Sequence, residues 1–306
     1  AVTVFDNLSK GHRQAVAPKA SFIHGDLADT DRLRDALRSE AFDAVMHFAA
    51  SLDVGESVRE PLKYYRNNII NTTSLLELMH AVGIRRMVFS STCAVYGEPD
   101  TLPLTEDLPK NPISPYGASK LAMEWAMAAC GTAWGLGATA LRYFNASGAA
   151  ADGTIGQDYR PILHIIPAII EVALGKRENI KVFGTDYPTP DGTCVRDYIH
   201  VEDLAEAHRL AIEAVKPGQF TAYNVGTGRG HSVLEVIDAV RTVTGHPIPA
   251  EIGPRRPGDP PALYADPTRL RQAVGWEPRY TDLKRIVETA WRWHQSHPDG
   301  YETASA

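Results

Sequence analysis

Short apolar, β-branched runs alternate with amphipathic stretches through the first half of the chain. Val2–Phe5, Ser21–His24, Ala44–Phe48, Arg86–Ser90 and Ala138–Tyr143 read as strands. They are rich in Val, Ile, Phe and Met and apolar on both faces, as in a buried parallel sheet. Between them lie helical patterns. Thr30–Ser39 places Leu33 and Leu37 at i, i+4; Asn71–Val82 carries Leu75, Leu76 and Met79; Tyr116–Cys130 carries Leu121, Met123, Trp125 and Met127. Strands alternating with helices in this way predict a doubly wound α/β fold.

The second half has a different texture, with Pro/Gly-rich loops at 188–192 and 253–261. Ser232 and Glu235 form a capping box that opens a helix, and Gly245 can close it. Thr281 is placed as the cap of a last helix with Leu283, Ile286, Val287, Ala290 and Trp291 on one face. The pattern divides the chain at about residue 146. Residues 1–146 form the doubly wound domain. Residues 147–306 form mainly a smaller α/β lobe that closes over a ligand, with segments returning to the first domain.

Composition narrows the possibilities. With 31 Lys and Arg against 37 Asp and Glu, the net charge is −6, and no basic run marks a nucleic-acid partner. No stretch of about 18 apolar residues is present to span a membrane. Three cysteines are too few for a disulfide framework and point to a reducing, cytoplasmic setting. Cys93 and Cys130 read as small core residues. The histidines show no metal-ligand spacing, so no metal is expected. His294 and His297 read as solvent-facing.

The chemistry concentrates at strand ends. Tyr116 and Lys120, after Ser114-Pro115, sit at i, i+4 on one face of a helix. A free Tyr, with a pKa of about 10, is a poor base near neutrality, and a neighbouring ammonium favours its phenolate. Thr92 follows the Arg86–Ser90 strand, where open α/β sheets bind ligands, and could relay a substrate proton to Tyr116. Asp6-Asn7 after the first strand supplies an acid that bonds an adenosine ribose and repels a 2′-phosphate, favouring NAD over NADP. Asp26-Leu27 and Phe48-Ala49-Ala50 follow the next two strands. Arg196, and Arg255, Arg256 and Asp259, form two separate arginine loops that fit a diphosphate.

With these residues in place, the chain resembles the UDP-glucose 4-epimerases of the extended short-chain dehydrogenase/reductase family, from Val4 to about Tyr301. The stretches that carry the resemblance are Val4-Phe-Asp-Asn-Leu8, His47-Phe-Ala-Ala50, Val54-Gly-Glu-Ser57, Ser114-Pro-Tyr-Gly-Ala-Ser-Lys120, Leu141-Arg-Tyr-Phe-Asn145 and the run from Gly184 to Val201. The resemblance implies a Rossmann-like fold, bound NAD, a UDP-hexose substrate and a homodimer. It implies Tyr116 as base, Lys120 on the nicotinamide ribose and lowering the Tyr pKa, and Thr92 on the sugar. It implies cofactor contacts at Asp6, Asn7, Asp26, Leu27, Phe48, Ala49, Ala50, Ser51, Leu52, Asn67 and Phe144. Asn145, His164, Ile165, Arg196, Arg256 and Asp259 would hold uridine diphosphate, and Leu263 would gate the sugar. Leu52 stands where many members of the family place a Lys. The family's glycine-rich first strand is absent, so a strand with a G-x-x-G-x-x-G segment is expected to precede Ala1. The implied reaction is interconversion of UDP-galactose and UDP-glucose. Dehydratases and decarboxylases of the same superfamily carry an acid where Cys93 and Ala94 stand. A 4-epimerase of UDP-N-acetylhexosamine or UDP-pentose, or a non-catalytic NAD-binding scaffold, are the alternatives.

Overall fold

A computed structural model describes residues 1–256 and 259–301; Pro257 and Gly258, within the Pro/Gly-rich loop at 253–261, lie outside the described residues. Strands β1 (Thr3–Asp6) and β2 (Ser21–His24) pair in parallel, Thr3 opposite Ser21 and Asp6 opposite His24. Helix α1 (Thr30–Arg38) is capped by Asp29, which accepts from the Arg32 amide at 3.0 Å. After β3 (Val45–His47) come α2 (Val54–Arg59), α3 (Pro61–Tyr64), a π-helical stretch over Tyr65–Ile70 and α4 (Asn71–Val82). Strand β4 (Arg86–Thr92) runs into a 3-10 turn, Cys93–Tyr96, followed by α5 (Pro115–Trp134) and β5 (Gly137–Tyr143). The order continues as β6 (Asn145–Ser147), α6 (Ile165–Ala173), β7 (Ile180–Phe183), β8 (Val195–His200) and α7 (Val201–Ala214). It ends with β9 (Phe220–Val225), β10 (Gly230–Ser232), α8 (Val233–Thr244), β11 (Ala250–Gly253), β12 (Ala262–Leu263), α9 (Thr268–Val274) and α10 (Leu283–Ser296).

The chain divides into two compact units. One comprises Ala1–Asp100, Glu106–Tyr143 and Ala207–Asn224; the other comprises Thr101–Thr105, Phe144–Glu206 and Val225–Ala306. In the first unit a four-stranded sheet runs in the order β3-β4-β5-β9, and β1 and β2 form a sheet of their own. Val45 lies opposite Met87, and the β4–β5 register runs from Arg86 opposite Gly137 to Thr92 opposite Tyr143. Strands covered on both faces need apolar side chains on both, which is why Met87, Val88 and Phe89 stand in succession in β4. Met87 and Phe89 join Leu75, Leu76 and Met79 of α4 and Met123 and Met127 of α5 in one buried cluster. Four of the five methionines are spent here, where an unbranched, polarizable side chain fills irregular gaps.

The second unit is built around β8. Strands β6 and β12 pair with it in parallel and β10 antiparallel, while β7 and β11 form a separate parallel pair. Asp197, in the middle of β8, is wholly buried. Its Oδ1 accepts from the Thr227 amide at 2.8 Å and the Thr227 hydroxyl at 2.7 Å. Its Oδ2 accepts from the amides of Gly228 at 3.0 Å and Ala265 at 3.2 Å. A buried carboxylate persists only when donors replace its hydration in this way. The apolar core joins Ile166, Ile169 and Ile170 of α6 to Val236, Ile237 and Val240 of α8 and Leu283, Ile286, Val287 and Ala290 of α10.

Several expectations meet the structure directly. The capping box of α8 forms in both directions, and Gly245 ends that helix at φ +70°, in the left-handed region. The last helix is capped by Asp282 instead of Thr281; its carboxylate accepts from the Lys284 amide at 2.9 Å. Trp291 is partly buried and packs against the cluster of Leu283, Ile286, Val287 and Ala290, and Trp293 of the same helix is fully buried. His294 and His297 are not solvent-facing. The His297 ring stacks on Trp293 at 4.9 Å, and burial pushes His294 down to about 4. Cys93 and Cys130 are half-buried, and the buried cysteine is Cys194. Arg196 belongs to strand β8, not to a loop.

Candidate active site

In the first unit the candidate catalytic groups lie where β4 ends and α5 begins. Ser114 caps α5, accepting from the Gly117 amide at 3.2 Å, and Pro115 occupies the first helical position with its φ already fixed. This start point places Tyr116 in the first turn and Lys120 one turn on. The first turn lies hard against the 3-10 turn after β4. A Cβ at Gly117 would come within 2.6 Å of the Ala94 carbonyl oxygen, so glycine alone permits this approach.

Thr92 caps the 3-10 turn, accepting from the Ala94 amide at 3.1 Å. Burial pushes the Tyr116 hydroxyl up to about 12; the Thr92 side chain pulls the other way. Tyr64, wholly buried, stands edge-on to the Tyr116 ring with centroids 6.4 Å apart, and donates to Glu56 Oε2 at 2.8 Å. Tyr143, opposite Thr92 on β5, is raised well above the ordinary tyrosine range by burial and by Tyr116.

Lys120 is buried and directed at β4, not at Tyr116. Its Nζ donates to the Ser90 carbonyl at 2.7 Å and lies 4.7 Å from the centre of the Phe89 ring. Burial pushes its ammonium down to about 7, opposed by Glu124. His47 is held down to about 3, by burial first and then by Lys120, and meets the Thr72 hydroxyl at 2.8 Å.

The candidate cofactor residues of this unit gather at the ends of β1, β2 and β3. Asp6 Oδ1 accepts from the Leu8 amide at 2.6 Å, and Asn7 donates to Asp26 Oδ2 at 2.6 Å. Asp26 Oδ1 accepts from the Ala28 amide at 2.8 Å, and Leu27 packs on the apolar cluster. Phe48 and Ala49 are exposed, while Ala50 and Leu52 are half-buried. Asn67 donates to the Ser51 hydroxyl at 3.1 Å. Asn68, which the motif reading passed over, does more: it holds Ser51 through both backbone groups and donates to Ser119 of α5 at 3.0 Å. Its signal was the Asn67-Asn68 pair itself, two amides where one was counted. The donor set fits a dinucleotide: a carboxylate at Asp6 for ribose hydroxyls, an acid–amide pair beside it, and small side chains at 49–51. Among the described residues no cluster of His, Cys, Asp and Glu could hold a metal.

In the second unit β8 and β12 bring Arg196 and Leu263 into register, Leu263 being buried. Arg196 forms an ion pair with Asp259 and donates to its neighbour's carbonyl, Val195 O, at 2.8 Å. Arg256 lies 3.9 Å over the Phe183 ring; Arg255 lies 4.2 Å over Tyr187 and pairs with Asp186 at 2.7 Å. Asn145 of β6 donates to the Asp197 carbonyl at 3.0 Å. His164 precedes Ile165 at the start of α6; burial lowers its pKa, and its Nδ1 meets Gln157 Nε2 at 2.7 Å. Phe144, between β5 and β6, is buried. Phe183 and Gln157 carried no motif signal, because an aromatic on a short strand and a loop amide are common everywhere.

Comparison with known proteins points one way. The NAD dependent epimerase/dehydratase family matches residues 1–226. The chain is 50% identical over 303 residues to a UDP-glucose 4-epimerase of Halalkalibacterium halodurans, covering 99% of this chain and 90% of the relative. It superimposes with a TM-score of 0.90 on a UDP-glucose 4-epimerase from Brucella ovis solved with NAD, at 47% identity, covering 94% of this chain and 89% of that one. The UDP-glucose 4-epimerase from Bifidobacterium longum, solved with NAD+ and UDP, matches at 38% identity and a TM-score of 0.93, covering 98% and 92%.

Proposed function

The chain belongs to the NAD dependent epimerase/dehydratase family, and we propose that within it the chain interconverts UDP-galactose and UDP-glucose. The observation that carries this reading is Tyr116 in the first turn of α5, its pKa raised by burial and drawn back down by the Thr92 side chain, with Cys93 and Ala94 following Thr92 at once. A phenol and a hydroxyl suit proton exchange with a sugar alcohol. Without an acid at 93 or 94, no group is at hand there to expel water.

When bound, NAD supplies a reversible acceptor for the hydrogen at the sugar C4. Asp6, Asn7, Asp26, Leu27, Phe48 to Leu52 and Asn67 would hold it, with Phe144, Tyr116 and Lys120 at its reactive end. Tyr116 takes the proton of the 4-hydroxyl and returns it after the sugar has turned over. Thr92 holds that hydroxyl and steadies Tyr116. Lys120, held against the Ser90 carbonyl, would orient the nicotinamide ribose. Asn145, His164, Ile165, Arg196, Arg256 and Asp259 hold the uridine diphosphate, and Leu263 gates the sugar.

Incubating the purified chain with NAD and UDP-galactose and measuring UDP-glucose tests the reading; no product with UDP-galactose, UDP-N-acetylgalactosamine or UDP-arabinose would leave only a binding role. UDP-hexoses are the preferred substrates, with weak turnover of N-acetyl forms. Leu263→Tyr should shift the ratio of the two activities toward the plain hexose by about five- to a hundredfold, the range for a few methylenes of pocket volume. An unchanged ratio removes the gate.

A second copy of the chain is the partner we assign to the exposed apolar side chains of α2, α3 and α5. Val58, Leu62 and Trp125 are each more than 60% exposed there, on helices that pack together. Such a patch marks an interaction site, and sedimentation of the purified chain decides between monomer and dimer. The three cysteines form no disulfide among the described residues, which suits work in the cytoplasm.

A further inference from the structure

We propose that Glu124 is a positioning residue that keeps Lys120 charged and seated against strand β4. The proposal deepens the reading of Tyr116 and Lys120 above and rests on it.

Glu124 follows Lys120 by one turn of α5 and is 2% exposed. Its Oε1 accepts from the Ser91 hydroxyl at 2.5 Å and from Arg142 Nε at 3.1 Å; its Oε2 accepts from Arg142 Nη2 at 2.7 Å. Lys120 meanwhile donates to the Ser90 carbonyl at 2.7 Å. Successive turns of one helix therefore grip successive residues of β4, and the next residue is Thr92. The far side of Arg142 is also tied down: its Nη1 donates to the Tyr96 hydroxyl at 2.8 Å, which donates to Asn224 at 2.7 Å. Glu106 ends the chain of contacts by accepting from the Asn224 amide at 2.8 Å.

A buried Glu–Arg pair is not a cheap source of stability, since apolar replacements often serve as well. Its value here lies in the charge it presents to Lys120. A buried ammonium tends to shed its proton, and an opposite charge nearby restores the charged form. Around Lys120, β3 presents His47, which is neutral near pH 7, and β4 presents the Phe89 face and Ser90; the cation Arg142 of β5 is bound to Glu124 and to Tyr96 of the 3-10 turn. Glu124 is the group among these whose charge favours an ammonium.

The test reads Lys120 directly. In protein carrying 13C at the lysine Cε, the Lys120 signal is assigned by its loss in Lys120→Met, and its titration midpoint is followed by NMR. In Glu124→Gln the midpoint should fall by about one pH unit or more, which leaves about tenfold less ammonium above it. In Glu124→Asp, which keeps the charge, it should stay near the wild-type value. A Glu124→Gln midpoint equal to the wild-type one, with only a lower melting temperature, overturns the proposal. If Glu124→Gln does not fold, the double variant Glu124→Gln/Arg142→Met removes both charges together. Its midpoint should also lie below wild type, and one at or above wild type overturns the proposal. The titration needs no turnover, so a failure to epimerise UDP-galactose counts against the proposed function alone.

Discussion

Tyr116→Phe is expected to leave the fold intact and to lower turnover by about 10²–10⁴, the usual worth of a general acid–base group. The substitution removes one oxygen. The ring keeps its edge-on contact with Tyr64, and the cap at Ser114 is untouched. What is lost is the hydroxyl that burial keeps protonated, up to about 12, in the protein by itself. Such a group abstracts a proton near neutrality only with cationic help, so the loss should fall on kcat, with UDP affinity unchanged. Circular dichroism checks the fold and steady-state rates with UDP-galactose check the loss; near-normal turnover would sink the assignment.

The second large effect is expected in the diphosphate site. Arg196→Ala should weaken UDP binding by about ten- to a hundredfold or more, since a hydrogen bond to a charged group contributes roughly 1.5–3 kcal/mol. The change does two things. It deletes a rigid fork of donors matched to phosphate oxygens, and it leaves the Asp259 carboxylate without its ion pair. Arg256→Ala should cost about tenfold, because that guanidinium rests on the Phe183 face and its loss strands no charge. Calorimetry with UDP measures both, and equal affinity in all three proteins would remove the arginines from the site.

Much of the first unit was legible because its signals are local. The β4 and β5 runs, the Asn71–Val82 helix and the Ser114-Pro115 start of α5 each follow from neighbours in sequence. The helices over 54–70 carry no apolar periodicity because the pattern is inverted: Ser57 is fully buried while Val58, beside it, is exposed. Arg196 was read into a loop because Arg-Asp-Tyr looks too polar for a buried strand. The donors that satisfy Asp197 come from residues 30 to 68 positions away, beyond any local window. Lys120 was expected to face Tyr116 from the i, i+4 spacing alone. Helical spacing fixes the side of the helix but not which strand carbonyl the long side chain will choose, and it chose Ser90. The cap of α10 moved from Thr281 to Asp282, since a carboxylate one residue on takes the same amides.

The Asp197 carboxylate ties together stretches of backbone that are remote in sequence. The amide hydrogens of Thr227, Gly228 and Ala265 all end on its two oxygens. Releasing any one of them takes a donor from a buried carboxylate, so their openings are expected to be coupled. In deuterated water the three should trade hydrogen at one common, slow rate, as members of a single opening unit. On that expectation the turn after β9 and the segment just past β12 share one clock, set by a side chain on β8.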